Sequence, residues 1–294
     1  MTKPKVLVLG SQGMLGQAIS RFLASRGRQV TGTQFADPNA RWYLDAAAGP
    51  RTWAPLFADA KCDYVINCIG VLKHAIEGSK PGAIELAIRV NALFPYEVAR
   101  VAASGGARVV HISTDGVFAG GRAEPYRESE PPDCHDYYGR TKALGECPAA
   151  NVLNIRCSIV GLDTVEHKGL LEWFLHQPEG GEVKGFRDQF WNGVTTVQLA
   201  RLCDAIIERG AFDSLRGASY VHHFCPNPVI TKYDLLCAWR EVTGRRLIVR
   251  AAESGAPAGS RVLASQYDCL PAPDPVRGGW AQILSELLPP SYFQ

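Results

Sequence analysis

Short, continuously apolar runs alternate with amphipathic helical patterns through the first half of the chain. The run "KVLVLG" at 5–10 is apolar without alternation, which is typical of a strand buried on both faces of a parallel sheet. The next stretch has apolar residues at helical spacing and ends on Gly27, a residue suited to the position after a helix. "QVTGT", "WAPLFADA" and "CDYVINCIG" then predict a strand, a helix and a third strand. A long helical pattern covers 83–106, and Pro95 is expected to kink or restart it.

The same order continues and then changes beyond Gly161. "ARVVHISTD" and "NVLNIRCSIVG" are strand-like and flank a helix that begins after Tyr137. This repetition predicts an α/β fold, a doubly wound parallel sheet of the Rossmann type with right-handed crossovers. Later, "TTVQLARLCDAIIERG" and "TKYDLLCAWREVTG" are helical, with strands at "ASYVHHFCP" and "RLIVRAA". We therefore expect a dinucleotide-binding domain over 1–160, to which 186–221 returns, and a smaller, partly interleaved C-terminal substrate lobe over most of 161–294.

Composition and charge are those of an ordinary globular protein. Of 294 residues, 46% are hydrophobic and 20% charged, and the formal net charge is +2. The chain has no basic stripe and no apolar run near the roughly 18 residues of a membrane span, so we expect neither nucleic acid nor a membrane as partner. The N-terminus enters a strand-like run without a signal-peptide pattern, and the nine cysteines are scattered. These features predict a protein of the reducing cytoplasm.

One group of residues, His222, His223 and Cys225, could suggest a metal site. Their neighbours in "SYVHHFCP" alternate as in a strand, so side chains 222 and 223 point to opposite faces. We therefore expect no metal site.

A glycine-rich turn follows the first strand and precedes the first helix. Glycine there permits a tight turn and close approach of a pyrophosphate, and the helix N-terminus offers free N–H groups. The pattern predicts a dinucleotide-binding site. Its expected contacts are Gly10, Gln12, Gly13, Met14, Leu15 and Gly16, together with Cys68, Ile69 and Gly70 after the third strand.

The end of the second strand bears on the choice between NAD and NADP. An acid there binds the ribose hydroxyls, whereas an arginine meets the extra phosphate. This strand ends in neutral Thr33 and Gln34, so the sequence does not decide. Because Arg28 and Arg41 lie close in sequence, we expect both cofactors to be used, with a modest preference for NADPH. Asp45 could reach the adenine amine or be a solvated loop acid.

Candidate chemistry follows the fourth strand. Thr114 lies where that strand ends, and ligands of a doubly wound sheet lie beyond the carboxyl ends of its strands. On the next helix, Tyr138 and Lys142 are four residues apart and share a face, whereas Tyr137 is out of register. A nearby ammonium and an oxidised nicotinamide would lower the phenol pKa from about 10 toward neutrality. Tyr138 could then exchange a proton with a carbonyl that Thr114 holds in line, and Asn91 could fix a water relay to the lysine.

Together these residues resemble the extended short-chain dehydrogenase/reductase family, in particular the branch of dTDP-4-dehydrorhamnose reductases and related sugar-nucleotide 4-keto reductases. The resemblance rests on the glycine motif, "VNALFP", "ISTDGVFAG" and "YYGRTKALGE", and more weakly on "NGVTTVQLA" and "TKYDLL". It implies NADP(H) or NAD(H) as cofactor, a nucleotide-sugar substrate and cytoplasmic deoxysugar synthesis, and it is compatible with a homodimer. Implied catalytic residues are Thr114, Tyr138 and Lys142, with Asn91 assisting. Implied neighbours of the substrate are Lys73, Ser113, Asp115, Gly116, Ile159 and Arg187.

The chain departs from the rhamnose-type reductases at three positions. It has Gly116 where they usually carry a tyrosine, Ile159 where they often carry a tryptophan, and Leu72 near the place of a threonine. The two lost rings predict space beside the sugar, and hence a larger substituent than a rhamnose precursor carries. A UDP-linked 4-keto-6-deoxyhexose with an N-acetyl group at carbon 2 fits this expectation. Alternatively, another side chain of the C-terminal lobe, for example Trp191 or Phe190, fills the place of the lost ring.

Two other functions remain open from the sequence. An epimerase or dehydratase of the same fold would recycle its bound cofactor, and Asp115 supplies one acid near the catalytic threonine. A non-catalytic, NADP-binding regulatory subunit is the other alternative, against which the intact Thr114, Tyr138 and Lys142 argue.

Overall fold

Six parallel strands form the central sheet, in the order β10-β5-β4-β3-β1-β2. The computed structural model describes residues 3–76, 78, 80–163, 167, 169–255, 260–267, 269–271 and 279–288. The strands are β1 (Lys5–Leu9), β2 (Gln29–Gly32), β3 (Tyr64–Asn67), β4 (Arg108–Thr114), β5 (Val152–Cys157), β6 (Ile159–Val160), β7 (Glu182–Phe186), β8 (Phe190–Trp191), β9 (Val194–Thr195), β10 (Val221–His223), β11 (Ile230–Thr231) and β12 (Ile248–Ala252). The predicted α/β class with a doubly wound parallel sheet is confirmed.

Helices cover both faces of this sheet. They are α1 (Met14–Ser25), α2 (Pro50–Ala60), α3 (Lys73–Ile76), α4 (Pro81–Ala87), α5 (Phe94–Ser104), α6 (Tyr137–Leu144), α7 (Leu170–Leu175), α8 (Thr196–Glu208), α9 (Phe212–Ala218), α10 (Lys232–Thr243) and α11 (Gly279–Ser285). The apolar sides of α1, α8 and α9 pack on one face, and those of α2 and α5 on the other. None of these described helices is long and apolar enough to cross a membrane.

Two elements of the second half of the chain pack with the central sheet. Helix α8 packs against α1, and strand β10 extends the sheet beside β5. A separate cluster, centred on the buried rings of Phe174 and Trp239, joins α7, α10, α11 and the β7–β12 pair; we call this part the second lobe. The division at residue 160 stays a prediction, as does the return of 186–221.

The long helical pattern at 83–106 is interrupted, as Pro95 predicts. A π-helical turn, Ile88–Leu93, separates α4 from α5. Proline has no N–H to bond the carbonyl of Asn91, four residues earlier, so that carbonyl leaves the helical ladder. A Cβ atom on Gly145 would lie 1.9 Å from the Asn91 oxygen, so the segment that follows α6 can pack here only as glycine.

The strand predicted at 151–161 is also divided. It ends at Cys157 and resumes as β6, which pairs with β9 in a separate two-stranded sheet. Strand β7 and helix α9 are not predicted from the sequence. Strand β7 is short and pairs only with β12, far along the chain, so its partner is not visible locally.

A buried ion pair fastens α6 to the sheet. Arg156 on β5 donates from Nε and Nη2 to the two carboxylate oxygens of Glu146, at 2.7 and 2.6 Å. Both side chains are only 4% exposed. The Ser113 hydroxyl on β4 donates to the same carboxylate at 2.7 Å, and His223 on β10 lies 3.3 Å from Arg156 Nη1. Three strands and the end of one helix therefore share one polar network.

We expect Glu146→Ala to lower the free energy of unfolding by about 3–5 kcal/mol, because the Arg156 charge would remain buried without its partner. Urea denaturation would measure the loss. Arg89→Ala is the control, since it breaks an exposed pair with Glu85 and should cost about 0.5 kcal/mol or less. Equal losses in the two variants would contradict the role given to the buried pair.

Candidate active site

The turn between β1 and α1 requires glycine at two positions. Gly10 has a φ of +76°, a conformation that other residues rarely adopt. A Cβ on Gly16 would lie 2.1 Å from the Gly10 carbonyl oxygen. The helix begins after Gly13 without a side-chain cap, so its first N–H groups remain available. This cradle fits a pyrophosphate, as the sequence predicts.

The other expected cofactor contacts lie around this turn and at the end of β3. Gln12 is exposed, Met14 is half-buried and Leu15 is buried against the core. Gly70 is exposed, and a Cβ on it would lie 3.3 Å from Asn91 Oδ1 and 3.9 Å from Lys142 Nζ. The loop after β3 therefore connects the glycine turn to the catalytic candidates. The half-buried Cys68 and Ile69 complete this loop.

At the end of β2, the neutral side chains serve the backbone. Thr33 Oγ1 accepts a hydrogen bond from the Gly10 N–H at 3.0 Å. The Gln34 amide exchanges two hydrogen bonds with the backbone of Asp37, at 2.7 and 2.9 Å. Asp45 accepts from the Ala47 N–H at 2.8 Å, which stabilises its own turn. Its contact with adenine stays a prediction.

Arg28 is not available to a phosphate, so it does not support the expected preference for NADPH. It precedes β2, at the opposite end of the strand from Thr33, and it is buried in ion pairs with Asp204 and Glu208. Arg41 is exposed and lies with its guanidinium 5.1 Å from the ring centroid of Trp42. Of the two arginines, only Arg41 can support a preference for NADPH.

Helix α6 presents one tyrosine to the site and the other to solvent. Asp136 caps the helix by accepting from the Gly139 N–H at 2.8 Å. Tyr137 is 43% exposed, whereas Tyr138 is half-buried with its ring against Gly116. A Cβ on Gly116 would lie 2.9 Å from Tyr138 Cε1, so the tyrosine ring occupies part of the space that a side chain at 116 would take.

Lys142 lies beneath the site, one helical turn after Tyr138. Its Nζ donates to the Ile112 carbonyl on β4 at 2.8 Å, and the residue is 5% exposed. Burial lowers the pKa of Lys142 to about 8, although the Glu146 carboxylate acts in the opposite direction. The ammonium is therefore close to its titration point at neutral pH.

The phenol of Tyr138 differs from the sequence-based expectation. Burial raises its pKa to about 12, a hydrogen bond with the Thr114 hydroxyl partly opposes this, and the Asp115 charge adds to it. The sequence predicts that Lys142 and an oxidised nicotinamide together lower this pKa, whereas in the protein alone desolvation is the largest effect and raises it. Tyr138 is accordingly a protonated group, suited to donate a proton.

Thr114 and Asn91 are both held by backbone contacts. Thr114 Oγ1 accepts from the Gly116 N–H at 3.0 Å and donates to Asp115 Oδ1 at 3.1 Å. The buried Asn91 accepts from the Val71 N–H at 2.7 Å and donates to its carbonyl at 3.0 Å. The Asn91 side chain thus holds the loop after β3, and its water relay to lysine stays a prediction.

The residues expected near substrate are dispersed. The expectation that Ser113 lies near the substrate is corrected. Its hydroxyl donates to Glu146 in the buried network, because neighbouring strand residues face opposite sides. Lys73 bridges the loop after β3 to the cap of α6 by an ion pair with Asp136 at 3.0 Å. Ile159 packs against the sheet core, and Arg187 lies on the second lobe, 4.8 Å from the Tyr233 ring centroid.

The charges of two residues of the second half act on Asp115, and the sequence does not single these residues out. Lys232 begins α10, and Arg261 donates to the Phe118 carbonyl at 2.7 Å. Burial raises the pKa of Asp115, and the charges of Arg261 and Lys232 oppose that rise. The indole of Trp191 lies 5.2 Å from Lys232 Nζ. The motif "TKYDLL" contains the lysine, but no local pattern indicates its direction.

A different histidine cluster stands on the second lobe. The potential ligand atoms of His167, Glu172 and His176 all lie within 4.8 Å of one another. His222 and His223 instead lie beside protein carbonyls, those of Leu215 and Ala264. The expectation of no metal site stays a prediction.

Similarity to known proteins covers most of the chain. The family described as RmlD substrate binding domain matches residues 4–261. A methionine adenosyltransferase 2 subunit beta of Danio rerio is 25% identical over 287 residues, which cover 90% of this chain and 83% of that protein. A dTDP-4-dehydrorhamnose reductase of Streptomyces griseus is 33% identical over 151 residues, 51% of this chain and 46% of that protein.

A solved structure shares the fold over its full length. The dTDP-4-dehydrorhamnose reductase of Bacillus anthracis, in complex with NADP, has a TM-score of 0.77 at 18% identity. The match covers 97% of this chain and 98% of that one. The resemblance read from the sequence motifs is thereby confirmed, and the chain belongs to the RmlD substrate-binding-domain family.

Proposed function

We propose that this protein catalyses the NAD(P)H-dependent reduction of the 4-keto group of a nucleotide-linked 4-keto-6-deoxysugar. The observation that carries the proposal is the convergence of Thr114, Tyr138 and Lys142 at the carboxyl end of β4. The loop after β3 connects this group to the glycine turn, because Ile69 packs against Gly10 and Gly70 lies beside Lys142. A proton donor, a second hydroxyl and a buried cation are the groups that ketone reduction needs.

The residues divide the work of the reaction. Gly10, Gly13 and Gly16 would hold a dinucleotide at the N-terminus of α1, and a nicotinamide bound there supplies hydride. Tyr138 donates its proton to the carbonyl oxygen, and Thr114 donates a hydrogen bond that orients the same oxygen. Lys142, fixed by the Ile112 carbonyl, stabilises the phenolate that proton donation leaves.

NADP(H) or NAD(H) is the proposed cofactor. Thr33 and Gln34 at the end of β2 are neutral, so neither of these side chains would repel a 2′-phosphate. Asn91 acts as a positioning residue for the loop that carries Gly70. The buried cysteines Cys62, Cys147, Cys157 and Cys203 are free thiols, which supports the proposed cytoplasmic location.

For the substrate, we propose a UDP-linked 2-acetamido sugar in preference to the dTDP-linked neutral sugar. The two missing rings predict open space beside the sugar, but packing fills part of that space. Trp191 of the second half donates from Nε1 to Ser158 Oγ at 2.8 Å, beside Ile159, and so brings an indole close to the position of the missing tryptophan. Asp115, Lys73 and Arg187 remain proposed contacts of the substrate.

A second candidate function is a non-catalytic NADP-binding subunit. Similarity over 90% of the chain to a methionine adenosyltransferase 2 subunit beta favours it. An epimerase or dehydratase is the third candidate, with no net use of cofactor. Stoichiometric oxidation of NAD(P)H by a 4-keto sugar separates the reductase from both.

Replacing Tyr138 by Phe is expected to lower kcat by about 10²–10⁴-fold while NADPH still binds, because only the proton donor is lost. Tyr137→Phe is the matched control and should stay near the wild-type rate. Lys142→Ala should weaken both turnover and cofactor binding. The measurements are steady-state NADPH oxidation and fluorescence titration; a dead Tyr137→Phe beside an active Tyr138→Phe would overturn the assignment.

We expect the pH dependence of kcat/KM to reflect the titration of Lys142. Its pKa is lowered to about 8, so the cation that stabilises the phenolate is lost as pH rises through that value, while Tyr138 stays protonated. We expect kcat/KM for reduction to be level at lower pH and to fall above about pH 8. Measurement between about pH 6 and pH 10 tests this, and a flat profile would refute it.

Cofactor choice gives another test. We expect both NADPH and NADH to be used, and Arg41→Ala to raise the KM for NADPH by roughly threefold without changing that for NADH. Arg51→Ala, which removes another exposed arginine, should change neither. A wild-type preference for NADH above about a hundredfold, near 2.7 kcal/mol, would contradict the expectation.

A further inference from the structure

The second half of the chain brings a ring to the carboxyl ends of β4 and β5. Cys157 is paired in register with Thr114, and Ser158 follows directly. Ser158 Oγ accepts a hydrogen bond from the indole N–H of Trp191 at 2.8 Å. Trp191 itself is 5% exposed and belongs to the core of the second lobe. The Trp191 indole therefore connects the carboxyl ends of β4 and β5 to the second lobe.

Lys232 lies beside the Trp191 indole. It is the first residue of α10, its backbone N–H donates to the Gln189 carbonyl at 2.9 Å, and its Nζ lies 5.2 Å from the Trp191 ring centroid. The residue is half-buried. Among the described residues, no carboxylate oxygen lies within 4 Å of this ammonium. Burial lowers the pKa of Lys232, and the charge of Asp115 opposes this. A partly desolvated cation of this kind is stabilised by an acceptor oxygen.

Asp115 supplies a carboxylate, which accepts hydrogen bonds where the Lys232 ammonium donates them. Its Oδ1 accepts from the Thr114 hydroxyl at 3.1 Å, which sets the carboxylate directly beside the proposed proton-donor pair. The residue is half-buried. The Asp115 carboxylate and the Lys232 ammonium are more than 4 Å apart, and each charge acts on the pKa of the other. Asp115 adjoins Thr114, and Lys232 reaches the same end of the sheet beside Trp191, which contacts Ser158.

We propose that Asp115 and Lys232 form a donor–acceptor subsite for an acetamido substituent of the sugar. The acetamido N–H donates to the Asp115 carboxylate, and its carbonyl oxygen accepts from the Lys232 ammonium. A hydroxyl carries its donor and acceptor on one atom, so it serves two separated partners less well than an amide does. This inference rests on the proposed function and assigns the group that distinguishes its substrate.

The test is binding of a matched pair of ligands, UDP-N-acetylglucosamine and UDP-glucose, which differ in the acetamido group. We expect the wild-type protein with NADP⁺ to bind the acetamido sugar about tenfold more tightly, and Lys232→Met to bring this ratio close to one. Lys184→Met removes an exposed lysine of β7 and should keep the wild-type ratio. Lys232→Arg, which retains a cation, should keep part of the preference. Isothermal titration calorimetry gives the four ratios.

The outcomes separate the two proposals. A wild-type ratio near one, or an unchanged ratio in Lys232→Met, overturns the subsite. An equal loss of both ligands in Lys232→Met also overturns it, because the lysine would then act through the fold or through the shared nucleotide. Because the test needs no turnover, a preserved preference without NAD(P)H oxidation by either 4-keto sugar would refute the reductase and leave the subsite standing.

Discussion

The buried ion pair between Glu146 and Arg156 is the interaction on which the site most depends. It joins the end of α6 to β5 and takes in the hydroxyl of Ser113 on β4. Neither charge can reach water if its partner is lost, so the pair is costly to break although its net contribution to stability is small. Its effect is positional: it holds the helix of Tyr138 and Lys142 against the strand that ends in Thr114.

Burial sets the chemistry that this geometry allows. The same desolvation raises the pKa of Tyr138 to about 12 and lowers that of Lys142 to about 8. A protonated phenol and a cation near its titration point suit the reducing direction, in which the tyrosine gives up its proton. The Ile112 carbonyl keeps the lysine in place, and the charge of Glu146 opposes the effect of burial on its pKa without fully compensating it.

The two halves of the chain contribute different parts of the site. The first half supplies the glycine turn and Tyr138, the proposed proton donor. The second half brings Trp191, Lys232 and Arg261 to the edge of the sheet at Asp115.

The sequence by itself determined the alternation of strands β1 to β5 with helices, the glycine turn and the shared face of Tyr138 and Lys142. Those features depend on local periodicity and spacing, which are readable along the chain. Tertiary structure alone decided the partner of Ser113, the approach of Lys232 and the sign of the Tyr138 pKa shift. Each depends on partners between about 20 and 120 residues away, or on water excluded by them, and no local pattern records which distant residue will lie opposite.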